Sequence, residues 1–278
     1  MEIQTIAEQL LFTTVRIETS TTTGSAIGTA FIFSYERDGK PVLFLVTNKH
    51  VVANAISGRF FFTLSDGIQP LIGQRFDIYI DNFEQVWHGH PQPEVDITVM
   101  PLAPVLQEIE KLEKQVFYKS IPYSLIPTQE QITSLDAIEE VIFIGYPIGL
   151  FDQKNLTPII RRGITATPLQ LNYNGKPIFL VDASVFPGSS GSPVFIYNSG
   201  SYSDKKGNVF IGSNRIFFLG VIAKTFKEKE YGEIEFIDIP SAQAPIIKTR
   251  QMIDLGVVYK SSTVLETILD FLRISNAL

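Results

Sequence analysis

The sequence predicts an all-β chain folded as two β units in tandem and closed by one C-terminal amphipathic helix. Three observations predict it. Short segments rich in β-branched and aromatic residues recur along most of the chain, Gly, Pro, Asn and Asp punctuate them, and only two stretches place apolar residues at helical spacing. With 278 residues, 45% of them hydrophobic, the chain can fill one large core or two modest ones.

The first set of strand segments comprises Thr13–Ile17, Ala30–Ser34, Val42–Thr47, Gly58–Leu64, Phe76–Ile80 and Ile97–Leu102. A second set follows at Val141–Gly145, Gly163–Thr167, Leu169–Tyr173, Ile178–Asp182, Pro193–Tyr197, Ile216–Ala223 and Glu235–Ile239, with Asn174-Gly175 as a turn signal. Between the sets, Leu106–Gln115 mixes apolar and charged residues at helical spacing before a proline-containing stretch. Asn198–Asn214 is polar and glycine-rich and reads mostly as an exposed loop. Near the end, Thr263 and Glu266 have capping-box spacing, and Val264, Leu265, Ile268, Leu269 and Leu272 form an apolar stripe that would cover apolar barrel surface. The organisation expected is a first unit over 1–115, a linker over 116–137, a second unit over 138–260 and a helix over 261–278.

Composition removes several function classes. The formal charge is −6 with no long basic run, so counterion release offers little drive toward nucleic acid. Cysteine is absent, which excludes disulfides and thiol chemistry. The N-terminus carries Glu2 and Glu8 in place of a basic leader, and no run approaches the roughly 18 apolar residues of a membrane span. A soluble, cytoplasmic chain without membrane partner, metal or organic cofactor is the expectation.

Chemistry concentrates in FPGSSGSPVF, Phe186 to Phe195, where Ser189, Ser190 and Ser192 stand among glycines and a proline. A serine hydroxyl needs a general base to become a nucleophile, most often an imidazole held by a carboxylate. The only histidines, His50, His88 and His90, all precede the serine cluster. An α/β-hydrolase arrangement requires Gly-x-Ser-x-Gly and a later histidine, and neither is present. The remaining order is histidine, aspartate, serine.

His50 lies in LFLVTNKHVV, Asp96 in PEVDITVMPL and Ser190 in Gly188-Ser189-Ser190-Gly191-Ser192-Pro193. These segments resemble the trypsin-like serine peptidases, whose motifs run Thr-x-x-His, Asp-Ile-x-Val-Leu and Gly-x-Ser-Gly-Gly/Ser-Pro. The spacing agrees, with 46 residues from His50 to Asp96 and 94 from Asp96 to Ser190. The resemblance runs over about Thr14 to Pro240, and GYPIGL at Gly145–Leu150 with Arg161-Arg162-Gly163 looks like the HtrA-like and glutamyl-endopeptidase-like bacterial branch. Gly28-Thr29-Ala30 is similar to that family's strand start.

The resemblance implies two six-stranded antiparallel β-barrels of chymotrypsin type and a serine endopeptidase acting on a protein or peptide substrate. It casts Ser190 as nucleophile, His50 as base and Asp96 as the group that orients the ring, with Glu94 and Asp81 as rival carboxylates. The N–H groups of Gly188 and Ser190 would form the oxyanion hole, and Ser189 and Ser192 would be bystanders. Ser184 falls at the base of the specificity pocket and Ala223, Lys224 and Thr225 along one wall. Without an aspartate at that base, a small or medium uncharged side chain is the expected preference. Position 189 holds serine where zymogen-activated members hold aspartate, so no activation by a freed N-terminus is expected. His88 and His90 are read as solvated loop residues instead of metal ligands. The alternative readings are a catalytically quiet binding module on the same scaffold and an esterase or thioesterase using the same apparatus.

Overall fold

A computed structural model describes residues 2–227 and 252–275. In the first half, helix α1 (Ile6–Leu10) precedes strands β1 (Thr14–Thr21), β2 (Gly24–Arg37) and β3 (Lys40–Thr47), then the short helix α2 (Lys49–Val52). Strands β4 (Ser57–Ser65), β5 (Pro70–Asp81), β6 (His88–Gly89) and β7 (Thr98–Pro101) follow, then helix α3 (Ala103–Lys111). Two short strands, β8 (Val116–Phe117) and β9 (Ile121–Pro122), and helix α4 (Gln129–Ser134) lead into the second half. There the strands are β10 (Glu140–Gly145), β11 (Ile159–Thr165), β12 (Ile178–Asp182), β13 (Pro193–Asn198), β14 (Ser201–Ser203), β15 (Val209–Ile211), β16 (Arg215–Lys227) and β17 (Met252–Lys260), followed by helix α5 (Ser261–Ile274).

The predicted mostly-β architecture with a terminal helix is present. The second half closes into a six-stranded antiparallel barrel in the order β10-β11-β12-β17-β16-β13. The first half is a nine-stranded sheet along the path β5-β4-β1-β2-β3-β7-β6, with β8 added to β4 and β9 paired parallel to β2. The stretch expected as a linker therefore returns twice to the first sheet before crossing over.

The apolar runs are continuous because the strands are buried on both faces. Along β2, Phe31 and Phe33 enter the core between the two halves, while Ala30 and Ile32 enter the interior of the first half. On β13, Phe195 faces the shared core and Val194 and Ile196 face the barrel interior. Phe218 of β16 joins them, with ring centroids 5.3 Å from Phe31, 5.9 Å from Phe33 and 5.7 Å from Phe195. Helix α5 seals this shared core with Val264, Ile268 and Leu272, one face at four-residue steps.

Several local expectations change. The apolar segment Leu169–Tyr173 forms no strand: Pro168 starts a turn, Gln170 donates its side chain to the carbonyls of Ile132 and Leu135, and Leu169 plugs the barrel from a loop. The Asn174-Gly175 turn does form, both residues at positive φ. Thr263 does not cap α5. The helix begins at Ser261, and Thr263 donates its hydroxyl to Lys260 O at 2.7 Å from within the first turn. The expected helix at Leu106–Gln115 starts earlier, with Pro104 in its first turn, and ends before Glu113, which has φ of 54°. Inside the 198–214 segment, β14 and β15 pair as a hairpin, with Tyr202 stacked on Phe210. β17 was not legible as a strand. The segment Glu235–Ile239 lies outside the described residues. Among the described residues no helix is long and apolar enough to cross a membrane.

Candidate active site

His50 sits on α2, immediately after β3 delivers the buried Thr47 and Asn48. Asp96 stands just before β7, anchored by its buried neighbours Val95 and Ile97. Its carboxylate binds the histidine twice: Oδ1 accepts the His50 backbone N–H at 3.0 Å, and Oδ2 lies 2.6 Å from the ring Nδ1. Asn48 adds a third tie, donating Nδ2 to Asp96 O at 2.8 Å. An ionised carboxylate only accepts, so in the neutral ring the proton resides on Nδ1 and Nε2 keeps a free lone pair. The Asp96 side chain is 11% exposed and that of His50 is 45% exposed, which leaves the ring open toward solvent and substrate. Of the rival carboxylates, Glu94 offers its backbone carbonyl to the Tyr259 hydroxyl at 2.8 Å and Asp81 ends β5.

Lys49 ties α2 to the loop that precedes Asp96. Its Nζ donates to His90 O at 2.9 Å and Gln92 O at 3.0 Å, tightening the loop that leads to Asp96. Burial pulls the Lys49 ammonium below its usual range, and the Asp96 and Glu94 charges oppose that shift.

The serine loop is built around two glycines. Gly188 has φ of 88° and Ser189 N donates to Phe186 O at 3.0 Å, which makes Phe186–Ser189 a type II turn. The Pro187 carbonyl accepts the Ile148 N–H at 2.5 Å, so the Gly188 N–H of the same trans peptide points the opposite way. Gly191, with φ of 86°, packs against Thr29 O and Thr47 Oγ1 and donates to Ile222 O at 2.8 Å. Any Cβ there would clash. Among the described residues, neither the Gly188 nor the Ser190 N–H has an acceptor.

Ser190 meets the histidine side of the site through two threonines. Thr29 N donates to Ser190 O at 2.9 Å, and Thr47, three residues before His50, donates its hydroxyl to Thr29 O at 2.7 Å. The Ser190 hydroxyl itself donates to Ala223 O at 3.1 Å, and His50 Nε2 makes no hydrogen bond with a described residue. Ser189 and Ser192 are each 1% exposed with hydroxyls that have no partner among the described residues, leaving Ser190 as the accessible member of the three. Ser184 is half-buried between Ala183 and Val185, and Ala223 is buried on β16. Lys224 and Thr225 follow Ala223 on the strand, and their side chains lie outside the described residues.

A family model for the trypsin-like peptidase domain matches residues 28–201. The chain belongs to the trypsin-like peptidase family. That family comprises serine endopeptidases, hydrolases of the peptide bond. No curated protein sequence matches the chain significantly. Among solved structures, the HtrA-type protease AlgW with a tripeptide is similar at 17% identity and a TM-score of 0.47, over 97% of this chain and 63% of that one. A serine endoprotease from Yersinia pestis is similar at 14% identity and 0.47, over 98% and 68%. A protease from M. tuberculosis in its active form is similar at 18% identity and 0.43, over 95% and 82%. The trypsin-like chain spans 61% and 63% of the length of two AlgW structures.

Sequence reasoning missed the supporting residues of this trypsin-like site. Thr29 bonds Ser190 directly, Thr47 bonds Thr29, Lys49 bonds the loop before Asp96 and the Ile148 N–H bonds Pro187, and none of these pairings can be read from the residues alone. Gly28-Thr29-Ala30, the Thr-x-x-His motif that begins at Thr47 and GYPIGL at Gly145–Leu150 were the visible signals. The two remaining histidines are also corrected. His88 and His90 do not lie solvated in a loop: His88 Nε2 is 2.9 Å from Asp270 Oδ2, and His90 Nε2 is 3.1 Å from Glu266 Oε2, so both fasten α5 beside the Asp96 loop. His90 is 4% exposed and its Nδ1 accepts the Gln92 N–H, which leaves Nε2 as the donor to Glu266.

Proposed function

We propose that this trypsin-like domain is a serine endopeptidase in which Ser190 is the nucleophile, His50 the general base and acid, and Asp96 the group that orients and stabilises the imidazole. The observation that carries the reading is the double grip of Asp96 on His50, which leaves Nε2 basic, together with the N–H groups of Gly188 and Ser190, which have no acceptor among the described residues. In the first step the Ser190 hydroxyl turns from Ala223 O toward His50 Nε2 and gives it the proton as Oγ attacks the peptide carbonyl. The carbonyl oxygen becomes an oxyanion, received by the Gly188 and Ser190 N–H groups. His50 then returns the proton to the leaving amine as the C–N bond breaks, forming an acyl-serine. Water, deprotonated by the same ring, hydrolyses the ester and restores Ser190.

Ser189 is buried at the position where zymogen-activated relatives carry aspartate, which supports an enzyme that needs no freed N-terminus. Half-buried Ser184 and buried Ala223 support a primary pocket for a small or medium uncharged side chain. Gly145–Leu150 and Arg161-Arg162-Gly163 support placement in the HtrA-like branch, and the substrate class is protein or peptide. One observation favours the quiet binding module instead: the Ser190 hydroxyl faces Ala223 O and not His50. A fluorophosphonate probe separates the two. The peptidase reading expects labelling and peptide turnover that vanish in Ser190→Ala with an unchanged melting temperature. Absence of labelling in the wild type supports the module.

A further inference from the structure

Thr29 is fully buried on β2, in the first half of the molecule, yet its N–H and its hydroxyl are both spent on the second half. Its N–H donates to Ser190 O at 2.9 Å. Its hydroxyl donates to Gly188 O at 3.0 Å and accepts the Tyr146 N–H at 3.1 Å. Gly188 and Tyr146 are the ends of two segments that meet at the oxyanion pocket. From the Tyr146 end, Ile148 reaches Pro187 O and thereby aims the Gly188 N–H; Gly149 N donates to Tyr146 O at 3.0 Å.

Neither segment is held by its own conformational preference. Gly188 lacks the Cβ that would restrict its rotation, and Ile148 stands at φ of 52°, a strained position for a β-branched residue. The surroundings must therefore impose the geometry. We infer that the Thr29 hydroxyl is a strut, supplied by the first half, that joins Tyr146 to Gly188 of the second, and that Thr29 is a positioning residue for the oxyanion donors. Its catalytic consequence rests on the peptidase reading above. Valine at 29 keeps the branched shape but can neither donate to Gly188 nor accept from Tyr146, whereas serine keeps both bonds and loses only a methyl group.

The test uses the full chain as wild type, Thr29→Val, Thr29→Ser and Ser190→Ala. Labelling rate with a fluorophosphonate probe, turnover of a fluorogenic peptide mixture and amide exchange at Tyr146 are measured. Thr29→Val is expected to lower the labelling rate and kcat about 10- to 100-fold, because the oxyanion donors act in the transition state. KM is expected to stay within about twofold, as for an interaction absent from the ground state. Tyr146 exchange should accelerate, since its N–H loses its acceptor. Thr29→Ser should stay within about threefold of wild type on each measure. Unchanged rates in Thr29→Val, an equal loss in Thr29→Ser, or a raised KM with kcat preserved would each overturn the inference. If valine prevents folding, Thr29→Ala set against Thr29→Ser isolates the same hydroxyl. A wild type that neither labels nor cleaves overturns the catalytic consequence along with the peptidase reading; Tyr146 exchange then decides alone whether the strut exists.

Discussion

Exchanging Asp96 for asparagine changes one oxygen to an amide nitrogen at a residue that accepts from His50 twice. If the amide nitrogen replaces Oδ1, it faces the His50 backbone N–H, 3.0 Å away, donor against donor. If it replaces Oδ2, it faces Nδ1 at 2.6 Å and forces the imidazole proton onto Nε2. The second arrangement keeps the backbone bond and satisfies every group, so it prevails, and it leaves Nε2 without the lone pair that must receive the Ser190 proton. The same exchange in another Ser-His-Asp enzyme drops kcat about 10⁴-fold. That corresponds to about 5.5 kcal/mol of transition-state stabilisation at about 1.4 kcal/mol per decade. Folding should suffer far less, by about 1–1.5 kcal/mol, the difference between a charge-assisted hydrogen bond and a neutral one. Turnover of a fluorogenic peptide and fluorophosphonate labelling at pH 7.5, alongside thermal denaturation, measure both. Asp96→Asn activity within tenfold of wild type, in a folded variant, refutes the assignment of Asp96 and the tautomer argument with it.

Other predictions follow from the core and from α5. Phe218→Ala empties a fully buried site bounded by Phe31, Phe33 and Phe195, and should cost about 3–5 kcal/mol in urea denaturation. A loss under 1 kcal/mol would mean the two halves do not share that core. The hydrogen bond from His88, aided by Arg273, holds the Asp270 carboxyl below its ordinary value of 3.8. Its contribution to docking α5 is therefore full above that value and lost as pH falls through the lowered one. Wild type should lose melting temperature more steeply than Asp270→Asn below about pH 4 and run parallel to it above about pH 5. Parallel curves throughout would show that the ion pair does nothing for stability.

Much of the scaffold was readable from composition and order. Runs such as Ala30–Phe33 and Leu43–Val46 signalled strands through their apolar, β-branched and aromatic content, and the structure packs them on both faces. The glycines at 188 and 191 signalled turns, and both adopt the positive φ that other residues resist. Misreadings arose where local pattern competed with a distant partner. Leu169–Tyr173 has strand composition, but Gln170 finds carbonyls at 132 and 135 and the backbone follows it into a loop. Thr263 and Glu266 have capping spacing, but Glu266 is taken by His90 and the helix begins earlier.

By itself the sequence determined the order histidine, aspartate, serine, a glycine-bounded run holding three serines, and the apolar content for two packed halves. These are consequences of residue type and near neighbours, which act over a few bonds. Only the tertiary structure decided that Asp96 grips both the ring and the backbone of His50, that His88 and His90 serve α5, and that Thr29 braces Gly188 from 159 residues away. Hydrogen bonds depend on distance in space and on direction, and neither quantity is encoded in the spacing along a chain until the two halves have packed.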